Sequence, residues 1–200
     1  MKRLFFALMM SLPMVAMAQD NTWERVETST NNANPDQKYL VGAVPEVDGK
    51  VVFKTTVQAP GKSAQQVYDI VLDYMKKLVK EPNQFEQSRV VLEEIGRQAG
   101  ATLQEWLVFK ATALQLDRTR LLYNLVVDCY DGKADITMSR INYIYDEERD
   151  PQHYVAEEWI TDKWGLNKKQ NKLARVSGKF RRKTIDRKDF LFNKFAELLK

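Results

Sequence analysis

Three adjacent carboxylate pairs, Glu93-Glu94, Glu147-Glu148 and Glu157-Glu158, are the first residues in this chain whose type suggests acid–base chemistry. Hydrolysis by paired carboxyls needs two groups facing one another across a substrate. Neighbouring residues on a strand point to opposite faces, so Glu93 and Glu94 do not share a site. The pairs read as solvated charge, and a hydrolase remains only if the fold brings carboxylates from different elements together. Cys129 is the only cysteine and alternates with Leu125 and Val127 on one strand face, which makes it a small buried hydrophobe rather than a nucleophile. His153, the only histidine, follows Asp150-Pro151 in an expected surface loop, with no recognisable triad or metal-site partners. Gly61-Lys62-Ser63 stands where a phosphate-binding loop would, but Thr56 occupies the position that needs glycine, so the segment reads as a turn and a helix cap. No catalytic residue, metal ligand or cofactor is assigned from the sequence.

Two groups of residues suggest binding instead. Trp106, Lys110, Asn124, Asp128 and Tyr130 are expected on the sheet face turned away from the helices, mixing aromatic and polar side chains as binding surfaces do. An N-terminal strand or an oligomer partner would be an alternative occupant of that face. The second group is basic. From Lys168 to Lys188 there are ten Lys or Arg, and Asp186 is the only acid. Lys179, Arg181, Arg182 and Lys183 are its centre, beside a helix bearing Phe190, Phe192 and Phe195. Such a patch suits anionic lipid headgroups, acidic glycans or an acidic protein. The competing expectation is that the aromatics dock the helix while the cations simply face water.

The elements that carry these residues follow from periodicity. Val51, Phe53, Thr55 and Val57 alternate as a strand over 50–58, after an Asp48-Gly49 turn. Pro60-Gly61 breaks the chain, and Ser63 with Gln66 forms a capping box. Val67, Ile70, Val71, Tyr74 and Leu78 then make one helical stripe that ends before Pro82. Strands are expected over 89–95, 103–113, 120–130 and 133–145, with Gly96 and Gly100 flanking the first connection. Asp131-Gly132 joins the last two as a two-residue hairpin, expected as type I′. Ile136 and Met138 face one way, then Ile141, Tyr143 and Tyr145 the other, which predicts a β-bulge near Arg140. Beyond Asp150-Pro151 the sequence suggests a short helix over 154–162, an irregular basic stretch over 165–183, and a final helix capped by Asp186.

The compartment is read from the start of the chain. Lys2 and Arg3, an apolar run from Leu4 to Val15, and Ala16-Met17-Ala18 form a signal peptide over 1–18 with cleavage expected before Gln19. Removing it lowers the net charge from +4 to +2, places the protein in the periplasm or outside the cell, and argues against a nucleic-acid partner. No later apolar run approaches the ~20 residues needed to span a bilayer, and a lone cysteine excludes an intramolecular disulfide. The domain expectation is a flexible polar leader over 19–38, an α+β sheet domain over 39–147, and a C-terminal basic segment and helix over 148–200 packed on that domain. A chain of this size buries roughly 70% of its unfolded surface, enough for a conventional core.

Several segments together resemble an exported bacterial family, domain of unknown function 4468. They are Asp48-Gly49-Lys50-Val51-Val52-Phe53, Gly61-Lys62-Ser63-Ala64, and Tyr123 to Val127 through Asp131-Gly132-Lys133, with Tyr143 beyond. Glu157 to Asp162 and Gly178 to Asp186 extend the likeness through the tail. The resemblance implies a TBP-like fold, a curved antiparallel sheet with helices on one face, and carries no activity and no catalytic residues. The fold name does not imply DNA binding. The function expected is a non-enzymatic binding or envelope-associated module recognising a protein, glycan or anionic surface.

Overall fold

The computed structural model describes residues 35–112 and 115–200. The expected signal segment, its expected cleavage point and most of the expected leader lie outside the described residues. A short hairpin, β1 (Glu46–Val47) and β2 (Lys50–Val51), precedes β3 (Phe53–Gln58), α1 (Ala64–Leu78) and β4 (Arg89–Glu94). Three long strands follow, β5 (Gln98–Thr112), β6 (Gln115–Tyr130) and β7 (Lys133–Tyr145). Then come β8 (Gln152–Val155), a single turn α2 (Asp162–Gly165) and the long α3 (Gly178–Leu198). The main sheet is antiparallel in the order β3-β7-β6-β5-β4, and β8 pairs the far half of β7.

Alternation builds the core. Leu121, Tyr123, Leu125, Val127 and Cys129 of β6 are all buried, and the residues between them are partly exposed. α1 and α3 both cover the buried face. α1 starts on the full capping box of Ser63 and Gln66, and buries Val67, Tyr68, Val71, Met75 and Leu78. Each such side chain contributes about 1.5–3 kcal/mol of transfer free energy. Tyr74 meets Phe195 of α3 edge-on at 5.0 Å, so the two helices lie side by side. Phe180 of α3 anchors the other end, ringed by Phe109, Tyr143, Tyr145, Tyr154 and Trp159 at 4.6–6.0 Å.

The expected bulge is present. Pairing shifts between Leu122 and Asn124 opposite Arg140, whose φ is 55°. The Asp131-Gly132 hairpin is also present, but only Gly132 has positive φ, at 75°, so the turn is not type I′. Outside contacts hold this turn. Asp131 accepts the Ala64 backbone N–H at 2.7 Å, adding a carboxylate at the α1 N-terminus, and Gly132 donates to the Lys62 carbonyl. Asp48-Gly49 has positive φ at both positions, 51° and 71°, as a type I′ turn requires.

The tail departs from expectation. Residues 152–155 are strand, followed by a 3₁₀ turn over 156–158, because the Phe180 ring cluster draws Tyr154 and Trp159 together as a stacked pair 3.8 Å apart. His153 therefore sits exposed on a strand opposite Ile144, not in a loop. Gly100 lies inside β5, not in the connection, where Leu92 and Val126 close over the space a Cβ would fill. The final helix starts at Gly178, so Asp186 is in its interior. Asp186 accepts the Tyr39 hydroxyl at 2.8 Å and pairs with Lys38, and Asp36 pairs with Arg182. The last residues of the expected leader thus belong to the fold.

Candidate functional site

The helix-free face of the sheet is assembled by strand register. Thr56, Asp135, Asp128, Gln98 and Glu94 form one row across β3, β7, β6, β5 and β4. Asp128 and Asp135 are direct cross-strand partners, which sets two carboxylates side by side at a cost in stability. Thr56 Oγ1 donates to Asp135 Oδ1 at 2.6 Å, Lys133 Nζ lies 4.0 Å from Asp135 Oδ2, and Gln98 Nε2 donates to Asp128 Oδ1. Two open depressions meet at Asp128. One, of about 400 Å³, is floored by Lys54, Thr56, Asp135 and Thr137. The other, of about 300 Å³, lies at the rim among Glu94, Arg97, Tyr130 and Asp131. Tyr130 is 45% exposed there.

Of the expected face residues, Trp106, Asn124, Asp128 and Tyr130 do share this face. They do not converge. Trp106 pairs with Arg120, eight residues along β6 from Asp128, about 27 Å at strand rise. The Trp106 ring is also covered, by the Arg118 guanidinium at 3.7 Å and by Phe85 at 5.0 Å. Asn124 lies between these ends and meets Thr102 across the strands. Lys110 is on the opposite face, because a bulge between Val108 and Lys110 reverses the alternation. It pairs with Asp117, whose carboxylate reaches Lys179 on the helix side. Asp135, Lys54 and Thr56 were missed by sequence reasoning. A two-residue turn at Asp131-Gly132 does fix Asp128 opposite Asp135, so the pair was legible in the hairpin.

The expected anion patch is corrected by geometry. Lys179 is held by Asp117 at 2.7 Å and by the Tyr145 hydroxyl at 3.1 Å, against the Phe109 and Tyr145 rings. Arg181 is fully buried and donates to the carbonyls of Tyr39, Leu40 and Ile160 at 2.6–2.7 Å and to Asp162 at 2.6 Å. Burial lowers its guanidinium pKa, and Asp162 opposes that shift. Arg182 pairs with Asp36, and Lys183 is half-buried. Lys179, Arg181 and Arg182 are thus building material for the domain rather than an open surface. Farther along, Arg187 is buried against Glu105, described below. The cations of this stretch left in solvent are Lys163 on α2 and Lys168, Lys169, Lys172 and Arg175 on the connection to α3.

The remaining chemical candidates are structural. Glu93 turns to Lys76 of α1, while Glu94 lines the rim depression on the other face. Glu147 and Glu148 pair with Arg120 and Arg118, and Glu157 accepts the Val51 backbone N–H. Glu105 is wholly buried and accepts from five donors: Arg187 Nε and Nη2, Tyr123 Oη, Asn83 Nδ2 and Gln84 Nε2. Among the described residues no three His, Cys, Asp or Glu cluster as metal ligands, and no helix is long and apolar enough to cross a membrane.

Burial pushes the Cys129 thiol up from about 9 to about 12, with the Asp128 charge adding to the shift. The native state therefore keeps the proton that the unfolded chain gives up near pH 9. Stability from this group is intact below pH 9 and is lost as pH rises towards 12, at about 1.4 kcal/mol per pH unit. Urea melts of Cys129→Ala are expected to show a shallower decline over pH 9–12 than the parent. An identical decline would remove Cys129 as its source.

An antiparallel sheet with α1 and α3 on one face and, among the described residues, no helix on the other belongs to the α+β class that includes TBP-like domains. The chain belongs to the DUF4468 family, a domain of unknown function with TBP-like fold, which matches residues 53–144. It is 42% identical to a DUF4468 family protein from Bacteroides ovatus, with 84% of this chain and 96% of that chain covered and a TM-score of 0.77. A TBP-like protein from Parabacteroides distasonis, 20% identical, shares the fold, with a TM-score of 0.61 over 78% of this chain and 96% of that one. No curated protein is similar to the chain.

Proposed function

We propose that this protein is an exported, non-catalytic binding module that takes a polar, hydroxyl-rich ligand of the glycan class on the helix-free face around Asp128. The position of Asp128 carries this reading. It lies where two depressions meet, beside a second carboxylate and within one strand end of the exposed Tyr130 ring. Sugar hydroxyls donate to carboxylates, and Tyr130 offers a flat amphipathic surface. A carboxylate pair that lowers stability is repaid by a ligand that bridges it. The non-catalytic part rests on how the reactive groups are used, since Cys129 holds its proton and Glu105 is saturated with structural donors.

The test is a glycan array probed with residues 19–200, followed by titration of the hits. A ligand at a hundred times its dissociation constant is expected to add about 2.7 kcal/mol of stability. Asp128→Asn is expected to weaken binding roughly tenfold or more, as loss of a charged hydrogen bond does. Hits that bind Asp128→Asn, Asp135→Asn and Tyr130→Ala as well as the parent would overturn the site, and an empty array would overturn the ligand class.

A further inference from the structure

The cations in the first turns of α3 are held by the domain, and the stretch that precedes the helix does the opposite. Between Asp162 and Asp186 the chain has no acid. Lys163, Lys168, Lys169, Lys172 and Arg175 are all exposed, and so are two apolar side chains among them, Trp164 at 46% and Val176 at 56%. The loop is built rather than loose. Leu166 and Leu173 bridge its stem, and Asn167 N–H donates to the Lys172 carbonyl at 2.9 Å. The Asn167 side chain closes the tip by accepting the Asn171 N–H at 3.0 Å, and Ala174 N–H donates to the Gly165 carbonyl. Leu166 is buried, Leu173 packs on the core, and Gly178 fits so closely that a Cβ would lie 2.8 Å from Leu173.

We propose that this loop, together with the α2 turn that leads into it, residues 163–176, docks the protein on an anionic lipid surface. The lysines and Arg175 meet headgroup phosphates, and Trp164 and Val176 enter the headgroup layer. Charge alone would suit any polyanion. The exposed indole decides for a membrane, because tryptophan has an apolar body and a polar N–H and so prefers the interface between water and lipid. The loop's pre-formed stem means that little ordering is required on contact. This surface is separate from the Asp128 face and does not depend on the glycan reading.

The experiment is co-sedimentation of residues 19–200 with vesicles of 30% phosphatidylglycerol in phosphatidylcholine, and with pure phosphatidylcholine, over a salt series. The protein is expected to bind the anionic vesicles, to ignore the neutral ones, and to release as salt rises. Lys168→Gln/Lys169→Gln/Lys172→Gln is expected to weaken binding on the order of 100-fold. Trp164→Ala is expected to weaken it roughly tenfold at every salt concentration. The control Lys50→Gln/Lys80→Gln/Lys110→Gln removes the same charge from exposed sites elsewhere and is expected to bind within about threefold of the parent. Equal losses in loop and control variants would assign binding to net charge and overturn the proposal. So would the absence of vesicle binding in the parent, or retention on a soluble sulfated polysaccharide with no binding to vesicles. Unchanged melting temperatures in all variants keep the reading clear of folding.

Discussion

Arg187→Met is expected to destabilise the protein by about 3–5 kcal/mol, the cost of leaving a buried charge without its partner. Glu105 and Arg187 are both essentially inaccessible to solvent, and their contact is two-pronged, Nε to Oε1 at 2.8 Å and Nη2 to Oε2 at 2.7 Å. Burial works against the guanidinium charge, but Glu105 more than offsets this and raises its pKa. Methionine fills the volume and removes the cation, so Glu105 keeps only neutral donors from Tyr123, Asn83 and Gln84. The double variant Glu105→Leu/Arg187→Met removes both charges and is expected to recover more than half of the loss. Urea denaturation at constant m-value measures both. A single-variant loss below about 1 kcal/mol, or a double variant no better than the single, would show that the pair does not hold α3 to the sheet.

The second large effect is expected at Arg181, where Arg181→Met costs about 3–5 kcal/mol. One guanidinium joins three segments: residues 39–40, the 160–162 turn, and α3 itself. Removing it takes the donor from the buried Tyr39 and Ile160 carbonyls, while Leu40 keeps the Ala43 N–H. Gly165 is part of the same joint, since a Cβ there would lie 2.8 Å from both Arg181 Cδ and the Ile160 carbonyl. Arg181→Lys is expected to recover less than half of the loss, because an ammonium cannot reach four acceptors spread around a planar fork. Hydrogen exchange gives the specific signature: amides of residues 40–44 exchange early in Arg181→Met, while those of α1 follow global unfolding. Uniform exchange across the chain, or full rescue by lysine, would count against this role.

These two arginines mark the boundary of what was legible. Local devices could be read directly: the Ser63–Gln66 box, the β6 alternation, the Asp131-Gly132 hairpin and the phase change at Arg140 depend on residues close in sequence. The basic run could be seen but not its direction. Whether a lysine on α3 faces water or Asp117 is decided by a strand some sixty residues away, and nothing in residues 179–187 encodes that carboxylate. Lys110 failed for a related reason. The Val108–Lys110 bulge carries no glycine and no break in composition, so the change of face leaves no local mark. The helix start at Gly178 was hidden because Ser177 spends its hydroxyl on the Trp164 carbonyl rather than on a cap.

The pairing of Glu105 with Arg187 also orders events in time. The two residues are 82 apart, and Arg181 reaches back 142 residues to Tyr39. Lys62 likewise waits for the carbonyls of Leu199 and Lys200. A ribosome adds these partners last, so a nascent chain that already holds every strand of the sheet still carries an unmatched carboxylate on its inner face. Residues 53–144, the stretch the family model matches, hold β3 to β7 but neither α3 nor Arg187, so Glu105 lacks its cation until the tail is made. The last stretch of chain to be made is therefore the one that supplies the cation its core carboxylate needs.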